Sequence, residues 1–263
     1  MADSTDIDYT APSSPRIWNY WQGGKDNYDV DRAAGDEWIT VQPEIEQIAK
    51  ESRQLLMRSV HYLAAEAGVR QFLDIGTGLP TLQNTHEVAQ AAAPDSRIVY
   101  VDNDPLVLAH ARALLTNTTD AGVTSLIDAD YHNPESIVAD AHATLNFTRP
   151  IAVMFMGVLG HVHEYEEALS ITRRVMEAVP SGSYLVLWEN TDLTETARKA
   201  AEEYAKSGAI PYRLCSVEQV RGFFDGLEIV DPGLVPINQW RPDAGQTRTT
   251  EPLDAHCAVG RKP

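Results

Sequence analysis

Five short runs at residues 71–75, 98–101, 123–127, 151–156 and 183–188 constrain this chain most. Each is apolar or β-branched almost throughout, and each ends at Gly, Asp or Asn. Runs that are apolar at every position, rather than alternate ones, suit strands buried on both faces. The stretches between them carry helix-starting devices. Asp104-Pro105 and Asn133-Pro134 set a cap before a first-turn proline, and Asn84 with Glu87 and Ser216 with Gln219 have capping-box spacing. Strand and helix alternating over about 120 residues predict an α/β fold, a parallel sheet with helices on both faces.

The flanks follow different rules. Residues 1–67 show no strand signal: a lead-in containing Pro12, Ser13, Ser14 and Pro15 gives way to helical patterning. Ile45, Ile48, Ser52, Leu55, Leu56, Val60 and Leu63 form one mostly apolar stripe, which Gly68 is placed to stop. This predicts residues 1–67 as a lid and helical extension, and residues 68–263 as the sheet domain. At the other end, residues 227–230 and 256–260 read as strands joined through a connection with Pro232, Pro236 and Pro242. Too proline-rich for a crossover helix, it predicts an antiparallel pair at the sheet edge.

The formal net charge of −17 opposes phosphate backbones and anionic lipid surfaces, so neither nucleic acid nor a membrane is an expected partner. The longest apolar stretch, residues 151–159, is far short of the roughly 18 residues of a membrane span. Three aspartates, no basic residue and no apolar run among the first ten positions read against a secretory signal, so a cytoplasmic location is expected. Cys215 and Cys257 stand alone, with no zinc spacing, and read as core residues; no metal is expected.

The chemistry gathers at strand ends. Phe72-Leu73-Asp74-Ile75-Gly76-Thr77-Gly78 is a strand running into Gly-x-Gly, where a ligand can approach the backbone without a Cβ in the way. Asp102 ends the next strand, and a carboxylate there can accept both hydroxyls of a ribose. Asp130 follows the strand after that and can accept from an adenine amine, with Tyr131 or Ile127 against the ring. Thr81 stands where a dinucleotide loop carries its third glycine, and Asp74 would repel a pyrophosphate while suiting an ammonium. S-adenosylmethionine, which has no phosphate and ends in an amino acid, fits better.

With these features the sequence resembles class I S-adenosylmethionine-dependent methyltransferases. More narrowly, it is similar to an actinobacterial family of them long catalogued as a domain of unknown function. The segments that carry the likeness are Pro15 through Tyr28, with Gly23-Gly24-Lys25-Asp26-Asn27 the most specific part, then Gly78-Leu79-Pro80-Thr81 with Asn84-Thr85-His86-Glu87, and Val101-Asp102-Asn103-Asp104-Pro105. The resemblance implies a Rossmann-like sheet of order 3-2-1-4-5-7-6 with the last strand antiparallel, and bound S-adenosylmethionine. It implies Asp74, Gly76 and Gly78 at the methionine end, Asp102 on the ribose, Asp130 and Tyr131 at the adenine, and Gly157 beside the sulfonium, with Asn103 also among the cofactor-binding residues.

Two expectations come from the residues themselves. The aromatic, glycine-rich segment from Arg16 to Tyr28 reads as a lid whose Tyr20 and Lys25 reach over the cofactor, with Lys25 or Arg16 on its carboxylate. His161, after the fourth strand, is the candidate general base, or else a loop histidine or helix cap. A small-molecule methyltransferase leads, with Met156-Gly157-Val158-Leu159 in place of the Pro-Pro-aromatic motif of base-methylating enzymes. A non-catalytic S-adenosylmethionine sensor and an NAD(P)-dependent oxidoreductase are the alternatives, and a homodimer stays open.

Overall fold

All five apolar runs become parallel strands of one sheet, but only four are buried as expected; the run at 123–127 forms the edge strand and is half-buried. The computed structural model describes residues 7–81, 83–242 and 251–263; the first six residues of the lead-in and residues 243–250 of the C-terminal connection lie outside them. Three helices come first: α1 (Ser14–Trp21), α2 (Asp29–Val41) and α3 (Ile45–His61). The rest alternates as β1 (Gln71–Ile75), α4 (Thr85–Ala92), β2 (Arg97–Asp102), α5 (Pro105–Leu114), β3 (Val123–Asp128), α6 (Pro134–Ala141), β4 (Ala152–Met156), α7 (Tyr165–Ala178) and β5 (Tyr184–Asn190). Then come α8 (Glu195–Tyr204), α9 (Val217–Gly222), β6 (Glu228–Ile229), β7 (Val235–Pro236) and β8 (Ala255–Arg261).

The strand order is β3-β2-β1-β4-β5-β8-β6, with β7 also on β8. β8 runs antiparallel to β5, and β6 and β7 pair in turn with successive parts of its outer side. The expected 3-2-1-4-5-7-6 order therefore holds, with the sixth strand broken in two. The second piece escaped the sequence reading because it contains Pro236, which an edge strand tolerates.

Period-two alternation sorts the core into two layers. Phe72 and Tyr100 face one cluster, Leu73, Ile75, Val99 and Val101 the other. The first cluster also holds Ile17, Trp21, Trp38, Ile48, Leu55 and Val60, so α1, α2 and α3 cover one face of the sheet and share its core. Asp104 caps α5 by accepting from the Leu106 and Val107 N–H groups, and the boxes at Asn84 and Ser216 both form. Asn133 supplies only the position before Pro134, its side chain making no cap bond. α3 ends in one wider turn over Tyr62–Glu66, after which Gly68 takes φ +72° and Val69 N–H reaches back to the Leu63 carbonyl. Among the described residues no helix is long and apolar enough to cross a membrane.

Candidate active site

Strand order reverses between β1 and β4, and a crevice opens past their carboxyl ends. A cavity of ≈ 330 Å³ lies there. The loops after β1, β2 and β4 line one side, together with Trp188 of β5. Pro12 to Pro15, Trp18, Asn19 and Gln22 at the chain's front, and Ser52, Arg53 and Leu56 of α3, close the other.

The glycines of the first loop do different work. Gly76, at φ +74°, lies so near β4's loop that a Cβ would come within 2.4 Å of Val158. Gly78, at φ +67°, faces open space, and its N–H donates to Asp102 Oδ2 at 2.9 Å. Left-handed backbone and an uncovered Cα at Gly78 make the cradle that a ligand can enter.

Three carboxylates border this space. Asp74 is buried and accepts from the Thr85 hydroxyl at 2.7 Å. Burial pushes its pKa up to about 6, against the pull of the Thr85 bond and of Arg53. Asp102 is also raised by burial, while N–H groups of Asp104, Gly78 and Asn103 hold it in place. Its second neighbour, Asp104, is occupied by the α5 cap and by Ser13 Oγ at 3.0 Å. Asn103 and Tyr131 line the cavity too, and burial raises the Tyr131 phenol to about 12.

Other expected residues lie elsewhere. Asp130 is not in the lining; it accepts from the backbone N–H and ring of His132. Tyr20 also stands outside, its hydroxyl donating to Asp36 at 2.7 Å. The reason is helical: Ser14, Trp18 and Gln22 recur every four residues toward the cavity, and Tyr20 sits about 200° around α1 from Trp18. Lys25 is exposed on the following loop, outside the lining. Arg16 is buried in an ion pair with Asp31 at 2.8 Å.

The Gly23-Gly24-Lys25-Asp26-Asn27 segment forms a helix-ending device after α1. Gly23 takes φ +80°, a Cβ on Gly24 would strike Asn19 at 2.3 Å, and Asn19 Oδ1 accepts from Asp26 N and Asn27 Nδ2. Gly157 does line the cavity, but what its missing side chain admits is the Trp188 indole, 2.3 Å from a built Cβ. The Trp188 indole N–H has no acceptor among the described residues.

His161 borders the same cavity, at the end of a 3-10 turn over Leu159–His161. Glu189 at the end of β5, absent from the lining, accepts from the Leu159 and Gly160 N–H groups and from the Tyr212 hydroxyl, and so pins the turn. Burial lifts the Glu189 carboxyl to about 7 and lowers the His161 imidazole. His161 Nε2 lies 2.8 Å from Ser14 Oγ and Nδ1 3.2 Å from the Pro211 carbonyl. His163 is 94% exposed beside Glu164.

Arg53 is the cation the sequence reading overlooked. Its signal was there: a basic residue beside Ser52 and Leu56, inside the apolar stripe of α3. Ser14, read as part of the lead-in, and Trp18, read as part of a lid segment, both belong to α1, whose helical turn brings them to the cavity.

The model of the S-adenosyl methyltransferase family matches residues 1–263. The chain belongs to that family. A duf574-family protein of Streptomyces avermitilis is 41% identical, with TM-score 0.93 over 98% of this chain and all of the other. A Thermobifida fusca protein described as a methyltransferase is 36% identical, with TM-score 0.85 over 97% of each chain. An O-methyltransferase of Planctomyces limnophilus, 17% identical over 94% of this chain and 65% of its own, shares the fold at TM-score 0.50. No protein of curated function matches in sequence. The nicotinamide reading falls away with this membership. The residues suit the methyltransferase's cofactor: an open glycine cradle, carboxylates where a pyrophosphate would be repelled, and a cation in α3.

Proposed function

We propose that this methyltransferase transfers the methyl group to a small molecule, with Asp74 on the ammonium of S-adenosylmethionine, Arg53 on its carboxylate, Asp102 with Asn103 on the ribose and Tyr131 against the adenine. When bound, the cofactor supplies an electrophilic methyl group on a sulfonium, an excellent leaving group, so the protein's part is positioning and proton removal. Gly76 and Gly78 let the chain approach, and Gly157 gives Trp188 its place in the wall. His161 takes the acceptor's proton, held neutral by burial and oriented by Glu189, Tyr212 and the Pro211 carbonyl.

Residues 1–67 act as the closing part through α1 and the strap before it, while residues 68–263 supply the sheet. The net charge of −17 favours a small acceptor over nucleic acid. Two buried free thiols suit a reducing, cytoplasmic setting.

The observation that carries this reading is the convergence of Gly78, Asp74, Asp102 and His161 on one cavity at the switch point of the sheet. Calorimetric titration tests it. S-adenosylmethionine should bind one to one and NADH give no heat, and Asp102→Ala should weaken the cofactor about 10- to 100-fold. Undiminished binding by Asp102→Ala would remove the ribose assignment.

A further inference from the structure

We propose that the methyl acceptor is an alcohol or phenol on a flat apolar body, and that its hydroxyl takes the place Ser14 Oγ now holds against His161 Nε2. This rests on the reading of His161 as the base of a methyltransferase. A carbonyl only accepts, so the bond to Pro211 puts the ring proton on Nδ1 and leaves a lone pair on Nε2. Ser14 Oγ, 2.8 Å away, therefore donates to that lone pair. Tyr204 of α8 also meets Ser14. The other groups packed on the imidazole are the Tyr212 ring and the backbone of Ile210 and Pro211. A protein hydroxyl already shows what this point of the cavity accepts: an uncharged O–H donor.

An ammonium acceptor would need an open carboxylate there. Glu189 is occupied by two N–H groups and a hydroxyl, Asp104 by its helix cap and Ser13, and Asp74 and Asp102 belong to the cofactor. The wall nearby is apolar instead. Trp18 and Trp188 meet edge to face at 5.6 Å, Met156 and Leu56 join them, and Ile210 borders the cavity while 64% exposed. Such a slot takes an aromatic ring. Ser14 and Trp18 stand one turn apart on α1, so a shift of that helix opens both the base and the slot.

The transfer balances without another reactant. The acceptor oxygen bonds to the methyl carbon as the carbon–sulfur bond breaks, its electron pair going to sulfur. The hydroxyl proton passes to His161 Nε2 and from the resulting imidazolium to water.

The test uses the full chain with S-adenosylhomocysteine, calorimetry with 2-naphthol and naphthalen-2-ylmethylamine, and labelled methyl transfer to each. The naphthol should bind and accept label, and the amine should do neither. Ser14→Ala should tighten naphthol about fivefold, because a competing hydrogen bond is gone. His161→Gln should keep naphthol binding but lose transfer about 100-fold or more, together with the acidic limb of the kcat profile. Equal or better methylation of the amine, unchanged naphthol affinity in Ser14→Ala, or no naphthol binding to a protein that binds S-adenosylhomocysteine would each overturn the proposal. Failure to bind S-adenosylhomocysteine would instead sink the cofactor reading, and this one with it.

Discussion

Asp74 combines burial with a pKa of about 6, so the proposed place of the cofactor's ammonium at this carboxylate predicts a direction in pH. The ammonium prefers the ionised carboxylate, so affinity for S-adenosylmethionine should be full above about pH 6 and fall as pH drops through it. Asp74→Asn should weaken binding about 10- to 100-fold and flatten that dependence; calorimetry at pH 5, 6 and 8 reads both. Glu189 gives a second pH signature, in stability. Its folded pKa of about 7 lies above the ordinary carboxylate value, so the native state holds the proton more tightly and loses stability as pH rises through about 7. The buried His86 and His256 and the half-buried His161 are lowered and act in the opposite sense. The difference in melting temperature between wild type and Glu189→Gln isolates the glutamate, and the wild type's advantage should shrink from pH 5 to pH 8.

At the scale of elements, α1 shows what a sequence pattern can and cannot say. That Asp74, Gly78, Asp102 and His161 would gather at one cavity was legible because strand ends in an open α/β sheet are marked by their own apolar runs. Tyr20 falls outside the cavity lining because a helix turns neighbours to opposite sides, and Lys25 because the helix ends before it; composition alone does not show which side faces the cavity. Gly24 is the sharpest case: its small size answers to Asn19 inside the molecule. Gly24→Ala should therefore destabilise the protein by about 1–3 kcal/mol in chemical denaturation, whereas Lys25→Ala should leave the dissociation constant of the cofactor unchanged.

For the whole molecule, the pattern change at Gly68 marks a change of secondary structure while the core runs straight across it. Ile48, Leu55 and Val60 pack in one cluster with Phe72, Ile98 and Tyr100. A fragment of residues 68–263 would expose that face, so it should show no cooperative thermal unfolding, while the full chain should unfold in one transition. The pattern could mark where helices end and strands begin, but shared burial is a long-range property that no local spacing records. Two adjacent residues near the front reach both ends of the cavity: Ser13 bonds Asp104, beside the proposed nucleoside end, and Ser14 bonds His161, at the proposed acceptor end. Because one dipeptide bridges both, occupancy of the two ends should be coupled, and turnover is expected to follow a compulsory order with the nucleoside entering first and leaving last.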